Sequence, residues 1–179
     1  MNAAFVRWNE IAAQQCSVAR ALSEVGDRWT LLIVRDAMLR ATRFDEFVAR
    51  SGAARNVVAD RLDKLVAAGV LERKAYQSRP VRHDYRLTDK GRALHPVVMA
   101  LVAWGNEYHD DGGGPPVRHV HTRCGHDMHA VSSCSACGEA LDPRELRVRM
   151  REGNPLDGAN DANGANESGR ARRRGKANP

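Results

Sequence analysis

Aromatic side chains make up only 5% of this 179-residue chain, so its core must be built chiefly from aliphatic residues. No apolar run approaches the ~20 residues that a membrane-spanning helix needs, which excludes a transmembrane protein. The first residues, Met1 to Trp8, lack a basic stretch followed by a long apolar one; no secretory leader is expected, and the cytoplasm is the default compartment. There are only four cysteines, and in a reducing compartment they point to metal or redox chemistry before disulfides. What is present suffices for one domain and an extension, since 42% of residues are apolar and a domain takes roughly 150 residues. Lysine and arginine number 28 against 22 acidic residues, a net charge of +6 with a pI near 9.5. That surplus favours a polyanionic partner without establishing one.

Composition changes at residues 110–116, Asp-Asp-Gly-Gly-Gly-Pro-Pro, whose turn formers cannot continue a helix. It changes again after about Met150, where Asn, Gly, Ala and Arg replace large apolar side chains. The expected organisation is an N-terminal extension over 1–15, a principal domain over 16–110, a linker over 111–116, a small module over 117–150 and a disordered basic tail over 151–179. The tail ends in Arg170, Arg172, Arg173, Arg174 and Lys176, cations that offer at most nonspecific phosphate attraction. Residues 1–111 hold 17 basic and 14 acidic side chains, so a polyanion site must come from local clustering. Residues 72–92 supply one, with seven basic groups, among them Arg73, Lys74, Arg79, Arg82 and Arg86, against three acidic ones.

Val18, Leu22 and Val25 space as one helical face, ended by Gly26 at a position expected to need positive φ. Asp27 is a plausible N-cap for a helix over Trp29–Leu39, apolar around most of its circumference and therefore central to a core. Thr42 can cap a third, short helix that turns Phe44, Phe47 and Val48 inward. From about Asn56 to Ala68, Val58, Leu62, Leu65 and Val66 fall within a sector of about 100°. Asn56, Val57, Asp60 and Lys64 take the opposite side, Arg61 lies on its flank, and Gly69 stops the helix. Residues 70–76 and 83–87 read as two strands around a loop over 77–82, where Pro80 has no N–H to give a ladder. Helix, helix, turn, helix and a hairpin with a basic loop is the order of a winged helix-turn-helix, mainly α with a small β-hairpin (α+β). There, a helix offers its polar face to the major groove while the hairpin loop reaches phosphates or the minor groove. The other reading is an α+β domain whose basic hairpin is merely solvated.

Thr88 can cap a further helix to about His109, with Pro96 kinking it or delaying its start. Leu94, Val97, Val98, Leu101, Trp104 and Tyr108 recur along one stripe. Because this helix follows the hairpin, a second copy of the chain is its expected cover; packing on the chain's own N-terminal helices is the alternative.

Cys16-Ser17-Val18-Ala19-Arg20-Ala21-Leu22, Gly26-Asp27-Arg28-Trp29-Thr30-Leu31-Leu32-Ile33, Arg43-Phe44-Asp45-Glu46-Phe47, Asp60-Arg61-Leu62-Asp63-Lys64-Leu65 with Gly69-Val70-Leu71, and Tyr85-Arg86-Leu87-Thr88-Asp89-Lys90-Gly91 together resemble the HxlR branch of bacterial MarR-like winged-helix transcriptional regulators. The likeness covers roughly residues 16–110. It implies a homodimeric repressor or activator that binds double-stranded DNA at a palindromic operator, with a recognition helix near 54–67 and a wing at about 76–84. By that resemblance Arg55, Asn56, Arg61 and Lys64 are candidate recognition-helix contacts, and Arg79 and Arg82 are wing contacts. Asn56 suits base-edge hydrogen bonding best, while the arginines could equally bind phosphate. Cys16 stands where several members of the family carry a thiol that senses electrophiles or oxidants. A competing emphasis is therefore a thiol or ligand sensor, with a small-molecule or oxidant inducer acting at Cys16 or in a dimer-interface pocket and DNA binding as the output. A cysteine serving only as a small hydrophobe is the plain alternative.

His121-Thr122-Arg123-Cys124-Gly125 and Cys134-Ser135-Ala136-Cys137-Gly138 repeat one pattern of ligand, two spacers, ligand and glycine. Such a pair converges on one ion from a tight turn, and two pairs complete a tetrahedral shell. A structural Zn2+ held by His121, Cys124, Cys134 and Cys137 in a small zinc-ribbon-like C-terminal module is expected, with His126 the rival fourth ligand and free thiols on a loop-rich segment the alternative. A zinc deaminase also uses Cys-x-x-Cys but needs His-x-Glu and Pro-Cys. Here His129 is followed by Ala130-Val131 and Ser133 precedes Cys134, so no enzyme is expected. The module could instead recruit a protein partner.

Overall fold

The computed structural model describes residues 7–109, 111–149 and 151; the basic cluster expected in the tail lies outside the described residues. Two compact units are present, Met1–Val131 and Ser132–Pro179. The first opens with a short 3-10 helix, Trp8–Ala13, and continues with α1 (Ser17–Val25), α2 (Thr30–Met38), α3 (Phe44–Ser51), α4 (Arg55–Ala67), β1 (Leu71–Ser78), β2 (Val81–Leu87), α5 (Asp89–Arg92), α6 (His95–Tyr108), β3 (His119–Val120) and β4 (Asp127–Met128). Helices and an antiparallel hairpin in this order form the α+β winged helix-turn-helix. Its core is aliphatic with one aromatic pair: Ile33, Val34, Val58, Leu62, Leu65 and Leu71 surround fully buried Phe47, which meets the Tyr85 ring edge-on at 6.2 Å.

The helix ends are set by local chemistry, not always the chemistry expected. Gly26 does follow α1, but its φ is −80°, so left-handed backbone is not the reason for glycine there. Space is: a Cβ at Gly26 would lie 2.5 Å from the Leu22 carbonyl oxygen and 3.0 Å from the Trp8 ring. Asp27 Oδ1 accepts from the Trp29 N–H at 3.0 Å, capping a turn that precedes α2 rather than α2 itself. At α3 the cap comes from the third residue of the helix, not from Thr42. Glu46 Oε2 accepts from the backbone N–H groups of Thr42 and Arg43 at 2.8 and 2.9 Å. Beyond α4, Gly69 at φ +69° lets the Val70 N–H return to the Leu65 carbonyl at 2.9 Å, a Schellman closure.

Those two N–H bonds, that of Arg43 first, hold the Glu46 carboxyl below the usual carboxylate range. A carboxyl whose folded pKa is depressed stabilises the fold at pH above its unfolded value and loses that contribution as pH falls through the lower, folded one. Glu46→Gln is therefore expected to be less stable than wild type near neutrality, the gap closing between about pH 5 and pH 3. Urea unfolding across that range measures it; a gap constant with pH would refute the cap.

The hairpin is longer and its loop shorter than the sequence indicated. β1 and β2 pair from Leu71↔Leu87 to Ser78↔Val81, leaving Arg79-Pro80 as the tip. Tyr76 is skipped at an irregularity between Ala75 and Gln77, which hides the strand alternation. β2 also bridges Arg43↔Asp84, and the Tyr85 N–H reaches the Thr42 carbonyl at 2.7 Å, seating the wing beside the start of α3.

The predicted helix over 88–109 is two helices. Thr88 Oγ1 accepts from the Gly91 N–H at 3.1 Å and caps only α5, and Pro96 sits in the first turn of α6. The apolar stripe also divides. Val98 is buried in the core with Leu94 and Val102 packed against it, while Val97, Leu101, Trp104 and Tyr108 are 47, 50, 55 and 62% exposed. α6 thus packs on its own chain and presents a second, uncovered apolar face.

The first unit runs through Val131, beyond the 111–116 segment. Within this unit a cavity of about 350 Å³ is lined both by Met99, Val102 and Ala103 of α6 and by Val117, His119 and Met128 around β3 and β4. That first hairpin therefore belongs with the winged helix. In the second unit Ser133 bridges Ala140, and Asp142 caps a 3-10 turn, Pro143–Glu145, by accepting from the Arg144 N–H.

Candidate nucleic-acid interface

α3 and α4 with the turn over 52–54 form the helix-turn-helix, and α4 buries Val58, Leu62 and Leu65. Its outer side carries Arg55, Asn56, Asp60, Asp63 and Lys64, all exposed. Arg55 Nη1 lies 2.8 Å from Asp45 Oδ1, and its guanidinium stacks on the Phe44 ring at 4.8 Å, tying the start of α4 to α3. Both ion-pair partners are well exposed, so the pair is weak and readily exchanged for a phosphate. Asn56 is exposed, with no hydrogen-bond partner among the described residues. Its amide can therefore offer donor and acceptor together, the pairing that reads adenine. Lys64 Nζ pairs with Asp60 at 2.9 Å and, as the leading cause, holds the Asp60 carboxyl below its usual range.

Arg61, also a candidate contact by the resemblance, is engaged within the fold. Its side chain is only 20% exposed, with Nε 2.8 Å from Asp27 Oδ1 and Nη1 2.8 Å from Asp60 Oδ2. The Nε contact is ionic rather than a hydrogen bond, since Nε has no hydrogen-bond partner. Arg61 ties α4 to the turn before α2.

On the wing the cations fall into two groups. Arg73 pairs with Asp63 and Arg86 with Asp84, each at 3.3 Å. Lys74, Arg79 and Arg82 are exposed and have no carboxylate partner among the described residues. The unneutralised charge is thus on Lys74 within β1 and on Arg79 and Arg82 at the hairpin end. Sequence reasoning missed Arg43, Tyr76 and His83. Together with Phe44, Arg55 and Arg82 they line a cleft of about 590 Å³ between the start of α3 and the wing, where the Arg43 guanidinium lies over the Tyr76 ring at 4.9 Å. Arg43 was visible only as part of a family motif, and the strand irregularity that sets Tyr76 leaves no periodic signal.

An HxlR-like helix-turn-helix family model matches residues 24–112. An HTH-type transcriptional regulator of Mycobacterium tuberculosis is 41% identical over 130 residues, covering 73% of this chain and 82% of that protein. The chain belongs to the HxlR-like helix-turn-helix family. Among solved structures, this HxlR-like protein is similar to the transcription-factor candidate PA1607, with TM-score 0.70 and 38% identity over 78% of this chain and 98% of that one. It is also similar to PA1374 from Pseudomonas aeruginosa, with TM-score 0.55 and 37% identity over 77% of this chain and 94% of that one. The HxlR-like chain is accordingly a DNA-binding transcriptional regulator and not an enzyme, and no helix among its described residues is long and apolar enough to cross a membrane.

Two features of this HxlR-like protein stand apart from the helix-turn-helix. Cys16 is half-buried at the N-cap position of α1, and the guanidinium of Arg20, one turn on, donates to Ser17 Oγ at 3.3 Å. Of the expected metal ligands, His121 and Cys124 are together, with Nδ1 and Sγ 3.3 Å apart. In the second unit the backbone N–H of Cys137, then that of Ala136, and the Cys137 side chain hold the Cys134 thiol below its usual range. Among the described residues no three His, Cys, Asp or Glu side chains are gathered at one point.

Proposed function

We propose that this protein acts as a homodimer on a palindromic operator in cytoplasmic DNA, with α4 in the major groove and the wing tip on the flanking backbone. The observation that carries this reading is which polar groups are left without partners among the described residues: the Asn56 amide at the start of α4, and the Arg79 and Arg82 guanidinium groups at the wing tip, while Lys64, Arg73 and Arg86 are paired within the fold. Asn56 reads a base edge; Arg79 and Arg82 hold phosphate and set register. The uncovered face of α6 supports the dimer, since Val97, Leu101, Trp104 and Tyr108 form a contiguous row of exposed large apolar side chains of the kind that marks an interface.

Genomic footprinting supplies the operator for the test. Against it, Arg79→Ala with Arg82→Ala is expected to weaken specific and nonspecific binding alike and to flatten the salt dependence of log K by about 1.8 per protomer. Asn56→Ala is expected to cost about 1–3 kcal/mol per half-site on the operator and little on unrelated DNA. An unchanged salt slope in the double arginine variant would remove the wing from the interface; an equal loss for Asn56→Ala on both DNAs would remove its base-reading role.

A further inference from the structure

We propose that a cavity between the end of α2, β2 and the start of α6 binds a small organic anion, a monocarboxylate on an apolar body. The cavity holds about 660 Å³, a volume that suits a small-molecule site. Its floor is apolar: Ala41 and Tyr85 are buried there, with half-buried Met38 and Leu87 beside them. Its rim is basic. Arg40, Arg86, Arg92 and His95 line it, all exposed, and no acidic side chain does. The cleft beside the wing differs in this respect, since Asp45 and Glu46 stand among its arginines. An apolar floor under a basic rim suits a ligand with two unlike ends. A bare inorganic anion gains nothing from the floor, and an uncharged apolar molecule gains little from the rim. A carboxylate is the matching head group, because guanidinium forks hold it by two parallel hydrogen bonds.

Arg40 marks the cavity as a site. It closes α2 at φ +70°, its N–H donating to the Ala37 carbonyl at 3.1 Å while the Ala41 N–H donates to that of Asp36 at 2.9 Å. This is the Schellman closure that Gly69 makes beyond α4, where glycine takes the left-handed position without strain. At α2 an arginine takes it, and Arg40 is the one non-glycine residue at positive φ among the described residues. Its Cβ makes that backbone costly, and no contact within the fold offsets the cost: the Arg40 guanidinium has no hydrogen-bond or ion-pair partner among the described residues. Backbone strain of this kind clusters at ligand-binding positions. The other two arginines are loosely held. Arg86, itself 55% exposed, pairs with Asp84 at 3.3 Å, and Arg92 pairs with Asp89, which is 98% exposed. Such pairs are weak, so both guanidinium groups can turn to a bound carboxylate. Thr42 also lines the cavity, and its carbonyl accepts from the Tyr85 N–H at 2.7 Å. The ligand therefore lies against the bond that seats the wing beside α3.

The test uses the full chain with carbon-13 in its methionine methyl groups, followed by NMR. Met38 lines this cavity, whereas Met99 and Met128 line the smaller one between α6 and the β3–β4 hairpin; Met38→Leu assigns the Met38 signal. Titration with 2-naphthoate and with octanoate, a ring and a chain bearing the same head group, is expected to shift Met38 and leave Met99 and Met128 in place, for one body or for both. The uncharged amides of the same bodies should bind about ten-fold more weakly or worse. Arg40→Gly is expected to weaken carboxylate binding by about 10–100-fold, to leave amide binding unchanged, and to raise the melting temperature by about 2–5 °C. A merely structural arginine cannot give that combination. No Met38 shift with either carboxylate at low millimolar concentration, or shifts confined to Met99 and Met128, overturns the site. Amides that bind as tightly as the carboxylates, or an Arg40→Gly protein that binds the carboxylates as well as wild type, overturn the role of the basic rim. An Arg40→Gly protein that loses thermal stability along with carboxylate affinity overturns the assignment of Arg40 as a ligand contact.

Discussion

A Leu101→Glu, Trp104→Glu double variant is expected to sediment as a monomer where the wild type sediments as a dimer, and to lose affinity for a two-half-site operator by about 10²–10⁴-fold. The loss is large because it touches no DNA contact. Binding of the second half-site is made effectively intramolecular by the dimer, and separating the protomers removes that advantage at once. Both substituted side chains are half exposed or more, whereas Leu94, Val98 and Val102 hold α6 to its own core, so the monomer should remain folded with a melting temperature near that of the wild type. Binding to a single isolated half-site should be nearly unaffected. A wild type that sediments as a monomer, or a variant still dimeric at micromolar concentration, would refute the α6 interface.

Gly91→Ala is expected to lower stability by about 2–3 kcal/mol, through overpacking against backbone that cannot yield, and the melting temperature by about 10–20 °C. A Cβ at Gly91 would stand 2.2 Å from the Val70 carbonyl oxygen and 2.8 Å from Leu87 Cδ2. The segment carrying Gly91 also closes the end of α4. Thr88 Oγ1 donates to the Gly69 carbonyl at 2.6 Å, and Lys90 Nζ donates to that of Ala68 at 2.9 Å while pairing with Glu24 at 2.7 Å. Pushing α5 outward breaks these bonds together and exposes the carbonyls that α4 leaves unpaired. Gly105→Ala, within α6, where an added Cβ meets nothing within 4 Å, is the control and should stabilise slightly. Thermal melts of the two variants, read side by side, decide the point; a Gly91→Ala protein as stable as wild type would mean that the contact is relieved at no cost.

The parts of the fold that could be read from the chain were those carried by periodicity and glycine punctuation. Val58, Leu62 and Leu65 announce the buried side of α4, and Gly69 its end. What could not be read depends on partners distant in sequence. Arg61 has the composition of a DNA contact, and only Asp27, many residues earlier, makes it a structural clamp. Asp36 looks like an ordinary surface charge on α2 yet is buried, with Oδ1 held by the adjacent Arg35 at 2.9 Å. The α6 residues form one row in sequence, but a helix packed on one flank divides that row between two surfaces. Gly26 shows that a correct position can rest on the wrong cause, since crowding by Leu22 and Trp8 requires glycine there at an ordinary φ.

The Arg61–Asp27 clamp limits how this regulator could be re-targeted to another operator. A graft of a foreign recognition sequence onto α4 has to keep Val58, Leu62 and Leu65 for the core, and also position 61, because that ion pair ties α4 to the turn before α2. Positions 55, 56, 60, 63 and 64 are the ones open to exchange. A library that randomises those five and holds Arg61 with Asp27 changes the reading head while keeping that one tie, and gives up the exposed pairs of Arg55 with Asp45 and of Asp63 with Arg73.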